Sequence, residues 1–519
     1  RETQVAGKRI TVSAKAKNAF SPALEDVPEI RISYQIGDGA EQTASGNEIQ
    51  IPIETAVGTI ITITAKTAAV DGRYIETSET KTVTVADKTI VNKQISVTVL
   101  DVEYGSSPVP EGTFAGNVDG DETWAYTYSV DGGNTWGEPT LPMKFDDYVA
   151  KNIDWPRDSV GKNVQIQGSA SYIDPVLLED KSTHRVFLFA DLMPAGIGSS
   201  NASVGSGFKE INGKKYLKLH WKDDSSSDYN YSIRENGIIY DDTTNASTEY
   251  SVDGEYNLYK NGEALTCKQY DYNFEGTSLL ETPTDTDVNM NVFYKDSMFK
   301  VFPTNYLAMK YSDDEGDNWS DLNIVSTFKP EESKFLVLGP GIGKQITTGE
   351  NAGRLIVPLY SKSSAELGFM YSDDHGNSWN YVEADHNTGG ATAEAQIVEM
   401  PDGSLKTYLR TGSGYIAEVT SIDGGETWSD RVPLTEIATT SYGTQLSVIN
   451  YSQPIDGKPA IILSAPNATN GRKNGKIWIG LINETGQSGV NKYSVEWKYC
   501  YSVDTPQMGY SYSCLTELP

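Results

Sequence analysis

The sequence is short of positive charge, histidine and cysteine, and it lacks long apolar runs. Across 519 residues, 42 Lys and Arg stand against 71 Asp and Glu, a formal charge of −29. A surface of that sign repels polyanions, which argues against a nucleic acid or an anionic membrane as partner; an anionic ligand would need a local basic pocket. The four histidines, His184, His220, His375 and His386, lie far apart without ligand spacing, so no zinc site and no cofactor is expected. Three cysteines, Cys267, Cys500 and Cys514, are odd in number and sparse, and read as buried small hydrophobes rather than a disulfide framework. No apolar stretch reaches the roughly 18 residues of a membrane-spanning helix. The chain opens on Arg1 without a signal peptide and stops at Pro519, so a fragment of a longer exported protein is expected, working outside the cell or at its surface as a monomer. Amphipathic helical runs are missing too, while Tyr, Thr, Val, Ile, Gly and Asn abound, which favours an all-β chain.

What the sequence does contain is a repeat. Ser421-Ile422-Asp423-Gly424-Gly425-Glu426-Thr427-Trp428 returns in full frame at Ser129 to Trp136, with Ser378 for the threonine at Ser372 to Trp379, and with Asn318 there at Ser312 to Trp319. Each letter has a physical reason: the aspartate accepts hydrogen bonds from the turn's own backbone, the glycine permits positive φ, and the tryptophan fills a neighbouring apolar gap. A hairpin turn recurring at intervals of roughly fifty residues, with strand-like runs between copies, predicts a radial repeat of four-stranded sheets, a β-propeller, rather than a solenoid.

Before the first copy, apolar residues alternate from Lys8 to about Ala86: Ile10 and Val12, Ile30 to Ile36, Ile49 to Ile53, Ile61 to Ala65, then Val83 and Val85. Period two with turn residues between predicts five or six short strands, an immunoglobulin-like β-sandwich over 1–88 acting as a spacer, with Gly37-Asp38-Gly39 at a hairpin tip. The propeller is assigned to 89–519. Some 180 residues separate the first copy from the second, more than one blade can hold, so an inserted β-rich domain is expected at 205–303, with tight hairpins at Asn212-Gly213 and Asn261-Gly262. Ser251-Val252-Asp253-Gly254 imitates the repeat but lacks its later glycine and tryptophan, and reads as an ordinary turn.

The repeat is architectural, so chemistry must come from other side chains. The segments Gly389-Gly390-Ala391-Thr392-Ala393-Glu394-Ala395-Gln396, Thr407-Tyr408-Leu409-Arg410, Asn467 to Arg472 and Gly509-Tyr510-Ser511-Tyr512-Ser513-Cys514-Leu515, in this order, closely resemble the catalytic half of family 33 glycoside hydrolases, the exo-sialidases. Ser169 to Pro175, Phe187 to Asp191 and Ser363 to Leu367 resemble the intramolecular trans-sialidase subgroup of that family, which carries an inserted domain after the first blade. The likeness runs from about Ser129 to Pro519. It implies six blades and sialylated glycans as substrates.

It also implies roles, which the chemistry of the substrate makes intelligible. Sialic acid carries a carboxylate on its anomeric carbon. Guanidinium forks match a planar carboxylate bidentately and keep their charge. A carboxylate nucleophile would be repelled from such a centre, whereas a tyrosine hydroxyl stays neutral until a neighbouring carboxylate takes its proton; sialidases are the known tyrosine exception among retaining glycosidases. By position, Glu394 matches the base, Arg410 and Arg472 the second and third carboxylate-binding arginines, and Tyr512 the nucleophile, with Tyr510 the other candidate, expected on the same strand face. The family's Arg-Ile-Pro motif, which supplies the first arginine, is absent: the corresponding region holds Lys93, and Asn117 stands where the acid/base aspartate is expected, with Asp119 or Asp121 as possible replacements. A sialidase whose sialyl-enzyme resolves to water or to the sugar's own glycerol hydroxyl is expected. The rival reading is a sialoglycan-binding propeller with impaired catalysis.

Overall fold

The structure, a computed structural model, describes residues 2–5, 9–12, 30–44, 48–52, 55–67, 77–86, 124–126, 140–145, 148–149, 169–198, 201–275, 278–314, 316–361, 366–385, 393–503 and 505–517. The first copy of the repeat, the strand read at Ile95 to Val99, and Lys93, Asn117, Asp119 and Asp121 lie outside them. The described residues are strands and loops. Among them no α-helix is present, only three single-turn 3-10 segments. They form two compact units, one within 1–97 and the other within 98–517.

In the first unit, Glu2–Val5, Thr77–Ala86, Ile60–Thr67, Ile30–Ile36 and Gln42–Thr43 lie side by side in one sheet, and Arg9–Thr11 pairs with Glu48–Gln50 in a second. Side chains on a strand alternate between faces, so the even spacing of Ile32, Ile61, Ile63, Val83 and Val85 sends all of them inward, where they join Ile49 and Ile51 in one buried cluster. Gly37 turns the predicted hairpin tip at φ +57°.

Four of the sheets among the described residues of the second unit follow one another in chain order. Ser171–Asp180 and Arg185–Met193 form a hairpin, and Tyr306–Ser312 returns beside Arg185–Met193 to extend it. The next three are antiparallel meanders: Leu355–Ser361, Glu366–Ser372 and Asn380–Asp385 with Val337–Leu338 added at the edge; Ala395–Glu399 through Val432–Ala438; and Ser447–Ile455 through Tyr493–Ser502. The apolar cores lie between consecutive sheets, with Phe187 and Met309 clustered with Leu355 and Met370, Ile356 and Phe369 with Ile397 and Leu405, and Val398 and Tyr408 with Val448 and Ile461.

The repeated turn joins neighbouring strands of a sheet. In the copy at Ser372, the serine hydroxyl receives the Gly376 N–H, while Asp374 accepts from the Ser378 backbone at 2.9 Å and from its hydroxyl at 2.6 Å. The copies at Ser312 and Ser421 repeat these bonds. The tryptophans reach the preceding sheet: Trp379 meets Phe189 edge-on at 5.2 Å, and Trp428 stacks on Phe369 at 4.1 Å. Gly376 is required twice over, since its φ is +81° and a Cβ there would stand 2.3 Å from the Phe187 ring of the neighbouring sheet. Asp253 bonds much as a repeat aspartate does, accepting from the Asn257 backbone and side chain, although no tryptophan follows it.

Between Met193 and Tyr306 the chain builds a separate eight-stranded sheet, Phe208–Ile211 through Glu263–Ala264 with Phe299–Val301 alongside, and a hairpin of Thr266–Glu275 with Ser278–Asn289. Asn212-Gly213 and Asn261-Gly262 have positive φ at both positions, the left-handed tight turns their sequence predicts. This sheet shares a buried core with the sheet of Leu188 and Ala308. One expectation fails here: only Cys267 is buried, while Cys500 and Cys514 are exposed, and all three are free. Cys500 falls on an outward position of the alternating edge strand Tyr493–Ser502, and Cys514 lies in the irregular C-terminal segment.

Candidate active site

Glu394 and Arg410 are sixteen residues apart in sequence and meet because they flank one hairpin. Ala395–Glu399 pairs antiparallel with Leu405–Leu409, Ala395 standing opposite Leu409. The next residues outward therefore face each other, and the Arg410 N–H donates to the Glu394 carbonyl at 2.9 Å. The Glu394 side chain is buried, 3% exposed, at the end of a strand packed on both sides. Its carboxylate accepts from Arg410 Nη1 at 2.8 Å on one oxygen and from the Tyr512 hydroxyl at 2.7 Å on the other.

Tyr512 arrives from the C-terminal segment, which is pinned along its length. The Tyr510 N–H donates to the Arg472 carbonyl, Gln445 donates to the Ser513 carbonyl, and the Leu515 N–H donates to Ser447 Oγ. The expectation that Tyr510 and Tyr512 share a strand face is not met, because this segment is no strand and Tyr512 sits in left-handed backbone at φ +54°. For a bulky residue that conformation is strained and persists only where the surroundings enforce it. The two rings consequently have different surroundings: Tyr510 exchanges a hydrogen bond with Ser464 and packs over Gly475.

Arg472 sits in the loop between Lys458–Pro466 and Gly475–Glu484. Its guanidinium carbon is 5.3 Å from the Tyr512 ring centroid and 5.5 Å from that of Tyr442. Arg410 Nη1 also donates to the Tyr512 hydroxyl at 3.3 Å. The four residues the sequence singles out thus form one linked cluster.

Electrostatics follow from that packing. Burial, then the Glu394 carboxylate, push the Tyr512 phenol above its ordinary value against the opposing pull of Arg410, so the resting hydroxyl is protonated at neutral pH. Burial works against the Arg410 charge, and Glu394 more than offsets it.

Two further residues belong to the cluster and were given no role from sequence. Asp174, also in left-handed backbone at φ +54°, is pushed up to about 7 by burial and then by Glu394, with Arg410 pulling the other way. The Tyr360 hydroxyl is raised by burial and then by Asp174 and Glu394. Asp174 lies in a motif already quoted for its family likeness, but nothing linear in it points toward Glu394; the positive φ beside Pro175 exists only in the fold.

The raised Asp174 value has a consequence for stability. The unfolded chain releases this proton near the ordinary carboxylate value of about 3.9, whereas the folded chain keeps it to about 7. The folded state therefore binds more protons between those values, and this group's contribution to stability falls as pH rises across that window. Asp174→Asn removes the penalty, so its melting temperature should exceed that of the wild type by several degrees at pH 8 and converge with it near pH 4. Melting curves at the two pH values check this.

A buried carboxylate shared by a phenol and a guanidinium, with a second guanidinium above the ring, can hold an anionic ligand while the phenolic oxygen loses its proton. Comparisons with known proteins bear on the family, not on these residues one by one. Residues 276–518 match the BNR repeat-like domain family. The anhydrosialidase of the leech Macrobdella decora is 82% identical over 76% of this chain and 52% of its own length. The crystal structure of the intramolecular trans-sialidase from Ruminococcus gnavus, in complex with oseltamivir carboxylate, superimposes with a TM-score of 0.75 at 75% identity, over 89% of this chain and 85% of that one. The leech intramolecular trans-sialidase, complexed with 2,7-anhydro-Neu5Ac after soaking with 3'-sialyllactose, also gives 0.75, at 64% identity over 98% of this chain and 66% of that one.

The chain belongs to the sialidase family. Within it, the similarity is to the intramolecular trans-sialidases, although the chain spans about half the length of the curated relatives it matches.

Proposed function

We propose that this protein is an intramolecular trans-sialidase that cleaves terminal α-linked sialic acid from glycoconjugates and releases the 2,7-anhydro sugar. Arg410 and Arg472 hold the substrate carboxylate. Glu394 takes the Tyr512 proton as the phenolic oxygen bonds to the anomeric carbon; the glycosidic C–O bond breaks and the departing aglycone oxygen takes a proton from solvent. The sugar's own O7 then displaces Tyr512, Glu394 returning its proton to the phenolate while the O7 proton passes to solvent. The observation that carries this reading is the 2.7 Å bond from the Tyr512 hydroxyl to Glu394, with Arg410 bridging both.

The proposed architecture is a six-bladed β-propeller over 89–519, with an inserted β domain at 205–303 and an immunoglobulin-like sandwich at 1–88. Supporting it are the four sheets formed in chain order and the tryptophans that reach from one sheet to the one before. Sialylated glycans on proteins and lipids are the proposed partners, met by a secreted or surface-bound monomer.

Incubation with 3'-sialyllactose and mass analysis of the released sugar tests the reading. A product lighter than sialic acid by one water supports it. Free sialic acid alone replaces it with a hydrolytic sialidase, and binding without turnover with a sialoglycan-binding propeller.

A further inference from the structure

The turn at Thr440–Gly443 contacts both arginines, and no part of the reaction scheme above uses it. The turn is closed by the Gly443 N–H on the Thr440 carbonyl at 2.9 Å. The carbonyls of Tyr442 and Gly443 point at the two cations. Arg410 Nε and Nη2 both donate to the Tyr442 carbonyl, at 3.0 and 2.7 Å, and Arg472 Nη2 donates to the Gly443 carbonyl at 3.3 Å. Tyr442 is 53% exposed, and its ring centroid lies 5.5 Å from the Arg472 guanidinium carbon. Space around the turn is filled: Gly443 has φ +63°, and a Cβ there would lie 2.5 Å from the Thr411 carbonyl and 2.6 Å from Arg410 Cγ.

Each cation thus has one edge occupied by this turn. Arg472 in addition lies between the rings of Tyr442 and Tyr512. Its buried Nε has no hydrogen-bond partner among the described residues, so backbone polar groups do not fix that guanidinium alone. A cation facing an aromatic ring is attracted by its quadrupole. Long cationic side chains otherwise retain rotamer freedom that a ligand must remove on binding.

We infer that Tyr442 is a positioning residue for the carboxylate subsite: its carbonyl sets the plane of Arg410 and its ring the plane of Arg472, so that the two forks are spaced for one carboxylate before substrate arrives. The inference rests on the function proposed above. It assigns to Tyr442 no contact with the reacting atoms, so substitution of its ring acts on binding more than on the chemical step.

The test compares Tyr442→Ala, Tyr442→Leu and Tyr442→Phe with the wild type in steady-state cleavage of 3'-sialyllactose and in calorimetric binding of free sialic acid. All four proteins keep the backbone carbonyl, and the ring is half-exposed, so the variants isolate the ring. Expected are KM and Kd raised about tenfold in the alanine and leucine variants, with kcat within about threefold, and both restored to within about twofold by phenylalanine. Unchanged KM and Kd in Tyr442→Ala overturn the inference, as does recovery by leucine, which would make bulk the cause. Loss of kcat at constant KM also overturns it, because the ring would then act in the reaction. A wild-type protein that neither binds nor cleaves sialosides removes the function and the inference together, whereas an active wild type with indifferent variants removes the inference alone.

Discussion

Tyr512→Phe should lower kcat on 3'-sialyllactose by roughly four orders of magnitude or more while leaving affinity for the sugar within a few-fold of wild type. The substitution removes one oxygen and keeps the ring, so the aromatic face 5.3 Å from the Arg472 guanidinium survives. Arg410 keeps its bond to Glu394 at 2.8 Å and both bonds to the Tyr442 carbonyl. The carboxylate subsite is therefore intact, and only the atom that forms the covalent bond is gone. A 3-fluorinated sialosyl fluoride separates nucleophilic catalysis from mere electrostatics: the electron-withdrawing substituent slows departure from the enzyme, so wild-type protein should gain the mass of a sialyl group on the peptide holding Tyr512. The phenylalanine variant should gain none. Tyr510→Phe should retain near-normal activity, since the Tyr510 hydroxyl is engaged by Ser464. Labelling in Tyr512→Phe, or more than a few per cent of wild-type turnover, would move the nucleophile elsewhere.

Much of this site was legible in the chain because it is carried by local pattern. The turn repeat predicts its own hydrogen bonds, and the asparagine-glycine pairs predict their positive φ, since those residue types tolerate left-handed backbone. The separation of Glu394 from Arg410 also becomes meaningful once a hairpin joins them. Other features depend on long-range contacts and leave no linear trace. Asp174 joins Glu394 and Arg410 through the packing of a strand from another sheet, and Tyr442 reaches both arginines through a turn whose sequence, Thr440-Ser441-Tyr442-Gly443, matches no catalytic motif. The shared strand face read for Tyr510 and Tyr512 fails for a related reason. Period two applies to extended backbone, and tertiary contacts force Tyr512 out of it.

Glu394→Gln should lower kcat by about 100- to 10,000-fold, the range expected when a positioned proton acceptor is lost. An amide of the same shape accepts a hydrogen bond from Arg410 or meets the phenol, yet it cannot take the phenolic proton, and burial keeps that proton on Tyr512 at neutral pH. The substitution also strips Arg410, whose side chain is 11% exposed, of its ion-pair partner. An unpaired buried charge costs about 3 to 5 kcal/mol. Asp174 offers relief, because part of what holds its proton to about pH 7 is the Glu394 charge itself. With that charge gone, Asp174 should ionise at lower pH and take over part of the compensation of Arg410. The two substitutions are therefore coupled. At pH 8, Asp174→Asn alone should stabilise, Glu394→Gln alone should destabilise, and the double variant should be less stable than the sum of the two effects by roughly 1 kcal/mol or more, within the range seen for residues in one network. Denaturant unfolding of the four proteins at pH 8 measures the term directly. Additive effects would mean that the two carboxyl groups do not share Arg410, and the electrostatic account of the site would have to be rebuilt around Glu394 alone.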